Sequence, residues 1–207
     1  MNIFKTTLIS FFIFLGSLSQ SDAISEEVAH EFVTGLGNEA IQILTLPVED
    51  LEARVSGFRN LLHERFDIRR ISLAVLGRSA RKADKKQLSR FQNALEEHIV
   101  RVYTSQLGAY KNQVFTINKV IEKENGDAFV YTAIEQGDVP SISIDWRLRE
   151  RDGEPRVIDI AVEGVSLLAT KRADFKALIS EGGIDGLINT LEELNKIPDP
   201  EVAGSGQ

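Results

Sequence analysis

The sequence predicts an α+β domain: helices packed on one face of a curved, mainly antiparallel sheet of about four strands. Three observations lead there. From Ser25 to Gln106 the apolar residues recur at helical spacing; from Val114 to Gly164 they alternate with polar residues; after that the helical spacing returns. Helices gathered at both ends of an antiparallel run can cover its apolar face and leave the other face wet. There is no cysteine, so no disulfide or thiolate site supports the fold, and a chain of this length buries enough apolar surface without either.

Each element follows from local residues. Ser25 can cap a helix from Glu26 to Leu46, with Val28, Phe32, Leu36, Ile43 and Leu44 roughly on one face and Pro47 as its stop. A second helix runs from about Val48 to Arg65, with Leu51, Val55, Phe58 and Leu62 in register. A short one, Ile68 to Leu76, is closed by Gly77, the residue type that tolerates a left-handed end. The stretch DKKQ, Asp84 to Gln87, has the form of a capping box. It opens the longest helix, whose inner stripe is Leu88, Phe91, Leu95, Ile99, Val102 and Gln106, bordered by Tyr103.

Four strands follow, VFTINKVIEK, DAFVYTAIEQ, SISIDWRLRE and RVIDIAVEG, separated by turn signals at ENGD, GDVP and RDGEP. In the third, Ile142, Ile144, Trp146 and Leu148 share one face; in the fourth, Ile158, Ile160 and Val162 do. The apolar segment VEGVSLLATKRADF then runs into Lys171 and Arg172. Helices are expected from about Arg172 to Ser180 and from Ile184 to Asn195, separated by Gly182 and Gly183.

Residues 1–23 are set apart from the domain. One cation (Lys5), an apolar run from Leu8 to Leu15, and small residues Ser21 and Ala23 at the −3 and −1 positions form a secretory signal peptide. The run is too short to span a bilayer. Cleavage near Ala23 is expected to release a single domain over residues 24–197 with a disordered tail over residues 198–207. The net charge of −7 argues against nucleic acid as a partner, because phosphate binding needs clustered positive charge.

No catalytic constellation emerges. His30, His63 and His98 stand singly on predicted helices, without the convergent ligands a metal needs. No serine sits in a nucleophile elbow, and Glu96/Glu97 and Glu192/Glu193 fall on exposed helix faces. An exported domain without such chemistry reads as a binding or carrier protein, with no metal, no soluble cofactor and no enzymatic activity expected.

Two segments carry a specific resemblance. In Phe66 to Tyr110 it rests on Phe66-Asp67, the RIS..VLGR run from Arg70 to Arg78, Phe91 and VRVY at Val100 to Tyr103. In Trp146 to Leu194 it rests on Trp146, VEGVSLL from Val162, R.DF at Arg172 to Phe175 and GGIDGLI from Gly182. In this order they resemble the MlaC, or toluene-tolerance, family of periplasmic phospholipid carriers. One departure is Ser79-Ala80, where the family usually has an aromatic pair.

The resemblance implies a periplasmic, monomeric shuttle with phospholipid as cargo. Its partners would be an outer-membrane lipoprotein–porin complex and an inner-membrane ABC transporter bearing a hexameric lipid-binding ring. It also implies an apolar cavity between helices and sheet, on the order of 1,000 Å³. Candidate wall residues on or beside the helices are Phe66, Leu73, Leu76, Phe91, Leu95, Ile99, Tyr103, Leu167 and Phe175. Those on the strands are Ile142, Ile144, Trp146, Ile158, Ile160, Val162 and Val165. Periodicity alone favours a solid core over a cavity; only the resemblance reverses that.

From Arg69 to Lys86 seven basic residues face one acid, Asp84. Arg78, Arg81, Lys82 and Lys85, with Lys171 and Arg172, are candidates for docking a partner or holding a headgroup, docking being preferred. A chaperone that binds apolar polypeptide segments in the same cleft is the alternative; a lipid hydrolase lacks nucleophile and base.

Overall fold

The computed structural model describes residues 23–47, 49–106, 113–137 and 139–197. The segments expected to be a signal peptide, apart from Ala23, and a disordered tail lie outside the described residues. The helices begin where short polar side chains replace lost backbone partners. The Ser25 hydroxyl accepts from the Val28 N–H at 3.3 Å and opens α1 (Glu26–Thr45). Asp50 accepts from the Ala53 N–H at 3.1 Å and opens α2 (Leu51–Arg65). Asp67 does the same for the Arg70 N–H at 2.9 Å in α3 (Ile68–Leu76). Gly77, at φ 56°, then turns the chain into a 3-10 turn over Gly77–Arg81. The capping box forms: Gln87 N–H donates to the Asp84 carboxylate at 2.8 Å, and Asp84 N–H to the Gln87 side chain at 3.0 Å, opening α4 (Lys85–Gln106).

The strands β1 (Val114–Glu122), β2 (Asp127–Gln136), β3 (Val139–Arg151) and β4 (Glu154–Val162) form an antiparallel meander in chain order. A fifth, two-residue strand β5 (Val165–Ser166) completes it, one more than the sequence suggests. The register shifts between Ile134 and Gln136 on the β2–β3 ladder and at two bulges: the first bulge leaves Asn118 unpaired between Ile117 and Lys119, and the second inserts Ile158 opposite the Arg147–Leu148 step. The second puts consecutive residues Val157 and Ile158 both out of solvent.

The last helical segment, α5 (Leu167–Leu194), is two helices meeting at a kink at Gly183, where φ is 67° and ψ −167°, as Gly182 and Gly183 suggest; it differs from expectation in where it begins. It starts five residues before Arg172 because its first turn is capped twice. Ser166 accepts from the Ala169 N–H at 3.0 Å, and Asp159 accepts from the Leu168 N–H at 3.1 Å and the Ser166 hydroxyl at 2.6 Å. The apolar run at Leu167 and Leu168 is therefore already helical.

Apolar burial is divided between layers. One core packs α1 on the sheet, through Phe32, Val33, Leu36, Val130, Leu148 and Val157. A second joins α3, α4 and α5, through Val75, Leu76, Phe91, Phe175, Leu187 and Ile188. A small third cluster of Leu62, Ile68 and Val100 lies under α2. The loop between α2 and α3 adds to the edge of β4, where the Asp67 N–H donates to the Val157 carbonyl at 3.0 Å.

Candidate functional site

Between these cores lies a cavity of about 560 Å³, partly open to solvent. It is about half the volume expected for wholly enclosed lipid chains. Its floor is the inner face of the sheet: Phe115 of β1, Ile134 of β2, Ile142, Ile144 and Trp146 of β3, and Ile158, Ile160 and Val162 of β4. The strand period of two supplies that floor, since alternate residues point the same way. Trp146 stays apolar towards the cavity because its indole N–H donates to the Thr132 hydroxyl at 3.1 Å, which in turn donates to the Ile144 carbonyl at 2.6 Å. On the opposite face Arg147 donates to Asp127 at 2.6 Å and Arg149 also pairs with this buried carboxylate, tying β2 to β3.

The helices supply the walls. Leu95, Ile99 and Tyr103 come from α4, Leu167 from α5, and Phe66 from the loop after α2. Five other candidate wall residues are placed elsewhere. Phe91 and Phe175 meet edge to face, ring centres 6.2 Å apart, inside the helical core, which also takes Leu76. Leu73 is 37% exposed on the outer side of α3, and Val165 is 59% exposed at the turn before α5. In each case the facing element, not the residue type, decides the environment.

Sequence reasoning assigned no wall residue to α1 or to α2, yet both contribute: Leu36, Gly37, Ala40, Ile41 and Leu44 from α1, and Phe58, Leu61 and Leu62 from α2. Ile68, Ile71 and Val75 of α3 and Val102 of α4 also line the cavity. A usable signal lies in α1, where Leu36, Ala40, Ile41 and Leu44 widen the apolar face beyond one stripe. Gly37 has a specific reason: a Cβ there would stand 2.8 Å from the Phe115 ring. A second groove of about 450 Å³ between α1 and β1 shares Ile41, Gln113 and Phe115 with the cavity and adds His30, Thr34 and Asn38.

The candidate cations divide. Arg78, Arg81, Lys82 and Lys85 are exposed on the 3-10 turn and the start of α4. The Arg172 guanidinium lies over Gly77, 2.9 Å from where a Cβ would be. Lys171 lines the cavity. So does His98, whose imidazole is held below its ordinary pKa by burial, then by Lys171 and Arg101. Burial pushes the Tyr103 phenol up; both side chains are therefore neutral at neutral pH. Among the described residues no group of His, Asp and Glu could hold a metal ion, and no helix is long and apolar enough to cross a membrane.

Fold and cavity define an α+β protein with a solvent-accessible apolar chamber between a helical layer and a sheet. The chain belongs to the MlaC family, whose description, MlaC protein, matches residues 36–193. A relative from Haemophilus influenzae, the intermembrane phospholipid transport system binding protein MlaC, is 30% identical over 125 residues. That match spans 58% of each chain. A solved structure of a phospholipid-binding protein from Ralstonia solanacearum, in complex with a phospholipid, superposes with a TM-score of 0.71 at 21% identity. It covers 81% of this chain and 96% of that one and shows the shared fold.

Proposed function

We propose that this protein is a soluble periplasmic phospholipid carrier, not an enzyme, that holds acyl chains in the cavity and moves them between membranes. The observation that carries the reading is the cavity itself: about 560 Å³ bounded on both sides by aliphatic and aromatic side chains. A chain leaving a bilayer exposes methylenes at about 0.8 kcal/mol each, so two long chains cost over roughly 20 kcal/mol in water. Apolar walls remove that cost without recognising any one chain, because water exclusion has no direction. The names of the Haemophilus and Ralstonia relatives support phospholipid as the cargo.

In this reading residues 1–23 direct export and are removed, and the carrier works as a monomer without a cofactor. It alternates between an outer-membrane lipoprotein–porin complex and an inner-membrane ABC transporter with a hexameric lipid-binding ring, and so maintains outer-membrane lipid asymmetry. Arg78, Arg81, Lys82 and Lys85 dock it on acidic partner surfaces, where long-range attraction speeds encounter. The test is mass spectrometry of an organic extract from protein purified without detergent. Intact diacyl phospholipid at near one per protein is expected. Bound peptide would point to a chaperone, and lysophospholipid with free fatty acid to a hydrolase. A protein that carries no lipid and takes none from vesicles overturns the reading.

A further inference from the structure

Apart from Trp146, the polar side chains lining the cavity are His98, Tyr103, Gln113, Asp159 and Lys171. The Asp159 carboxylate is already committed to capping α5, accepting from Ser166 and Leu168. Lys171 is different. It stands one turn into α5, beside Leu167 and Leu168 on the same wall, and its ammonium group is 3.9 Å from Asp174, beyond hydrogen-bonding distance. Its side chain is 36% exposed, at the boundary between apolar wall and water. His98 lies close enough to feel its charge. Arg101, near the same imidazole, is not among the lining residues and donates to the Ile197 carbonyl. The neighbouring cation Arg172 is turned away onto Gly77. Lys171 thus brings a positive charge to the edge of the cavity in a chain of net charge −7, with the Asp174 carboxylate as its nearest counter-charge, and an ammonium group beside apolar walls attracts an anion more strongly than one in bulk water.

We infer that Lys171 is the headgroup anchor of the cavity, receiving the phosphodiester of a lipid whose chains lie on the β3–β4 floor. The inference rests on the phospholipid-carrier reading and adds to it a residue and an orientation. The flexible lysine stem lets the ammonium group follow the phosphate while its methylenes stay on the wall beside Leu167. Because the group is partly exposed, one charge-assisted hydrogen bond is expected to favour the phosphate on the order of tenfold.

The experiment equilibrates the whole protein with vesicles holding equal amounts of phosphatidylglycerol and diacylglycerol of the same acyl chains, and reads the bound lipids by native mass spectrometry. The wild type should take the phospholipid by roughly tenfold over the diacylglycerol. Lys171→Met should take both near parity at an unchanged total load, and Lys171→Arg should keep the preference. A wild-type preference retained in Lys171→Met would move the headgroup elsewhere, the α1–β1 groove first, and overturns the assignment. So does a wild type without preference. A thermal shift with inorganic phosphate alone, lost in Lys171→Met, would assign the residue to free phosphate and overturn the headgroup role. Uptake of neither lipid by the wild type fails the carrier reading itself, and is distinguishable because no lipid of any kind is then bound.

Discussion

Ile144→Glu separates a cavity floor from a solid core. Ile144 is half-buried in the middle of β3, between Thr132 and Val162 on its neighbours. Leu148 lies four residues further along the same face, but it is 0% exposed within the core under α1. In solid packing an introduced carboxylate is buried unpaired, at a cost of several kcal/mol, a large share of a domain stability of ~5–15 kcal/mol. At Ile144 the adjoining space of about 560 Å³ compares with ~30 Å³ per water molecule in the liquid. The carboxylate can therefore be hydrated there. What remains is the lost contact of a half-buried isoleucine, ~1–2 kcal/mol, or a melting point lower by about 2–8 °C for a domain of this size. Leu148→Glu should show no cooperative transition at all.

Lipid should respond in the opposite sense, because a hydrated carboxylate on the floor excludes acyl chains. Ile144→Glu is expected to be folded and largely empty. Circular dichroism melts and lipid extraction on the same samples read both effects. If Ile144→Glu unfolds as Leu148→Glu does, the cavity reading fails at this residue. If it folds and keeps its full load, the chains do not rest on β3.

Burial alone would raise the Asp127 pKa, but the Arg149 and Arg147 hydrogen bonds outweigh it and hold the carboxyl below its ordinary value. Its contribution is then present above the unfolded pKa of about 3.9 and lost as pH falls through the lower folded value. Asp127→Asn should cost ~1–3 kcal/mol at neutral pH, discounted for the partly exposed arginines, and lose less stability than the wild type below about pH 4. Urea melts across pH test this, and parallel acid limbs would refute it. Gly77→Ala should cost ~1–3 kcal/mol through its positive φ, and part of that should return in the double variant with Arg172→Ala, since the added Cβ meets that guanidinium. An additive double-mutant cycle would show that the contact does not matter. Reversing Arg81, Lys82 and Lys85 together to Glu should slow transfer to partner complexes while leaving bound lipid intact. The effect should fade with salt, as exposed charges are screened over about 8 Å at physiological ionic strength; loss of lipid instead would make these residues headgroup ligands.

The sequence by itself determined what depends on neighbours along the chain. The Ser25 cap, the Asp84–Gln87 box and the phase of β3 are read from side chains a few residues apart, and the structure has each of them. The start of α5 escaped because its second cap, Asp159, lies on another strand. Tertiary structure alone decided what stands across from each apolar face. Phe91 and Leu95 share one stripe of α4, yet Phe91 meets Phe175 while Leu95 reaches the cavity wall. Periodicity records which side of an element is apolar, and a core and a chamber make the same demand of that side. Lys171 and Arg172 make the same point with charge. Adjacent in sequence, they are separated by roughly 100° around the helix, so one lines the chamber and the other covers Gly77.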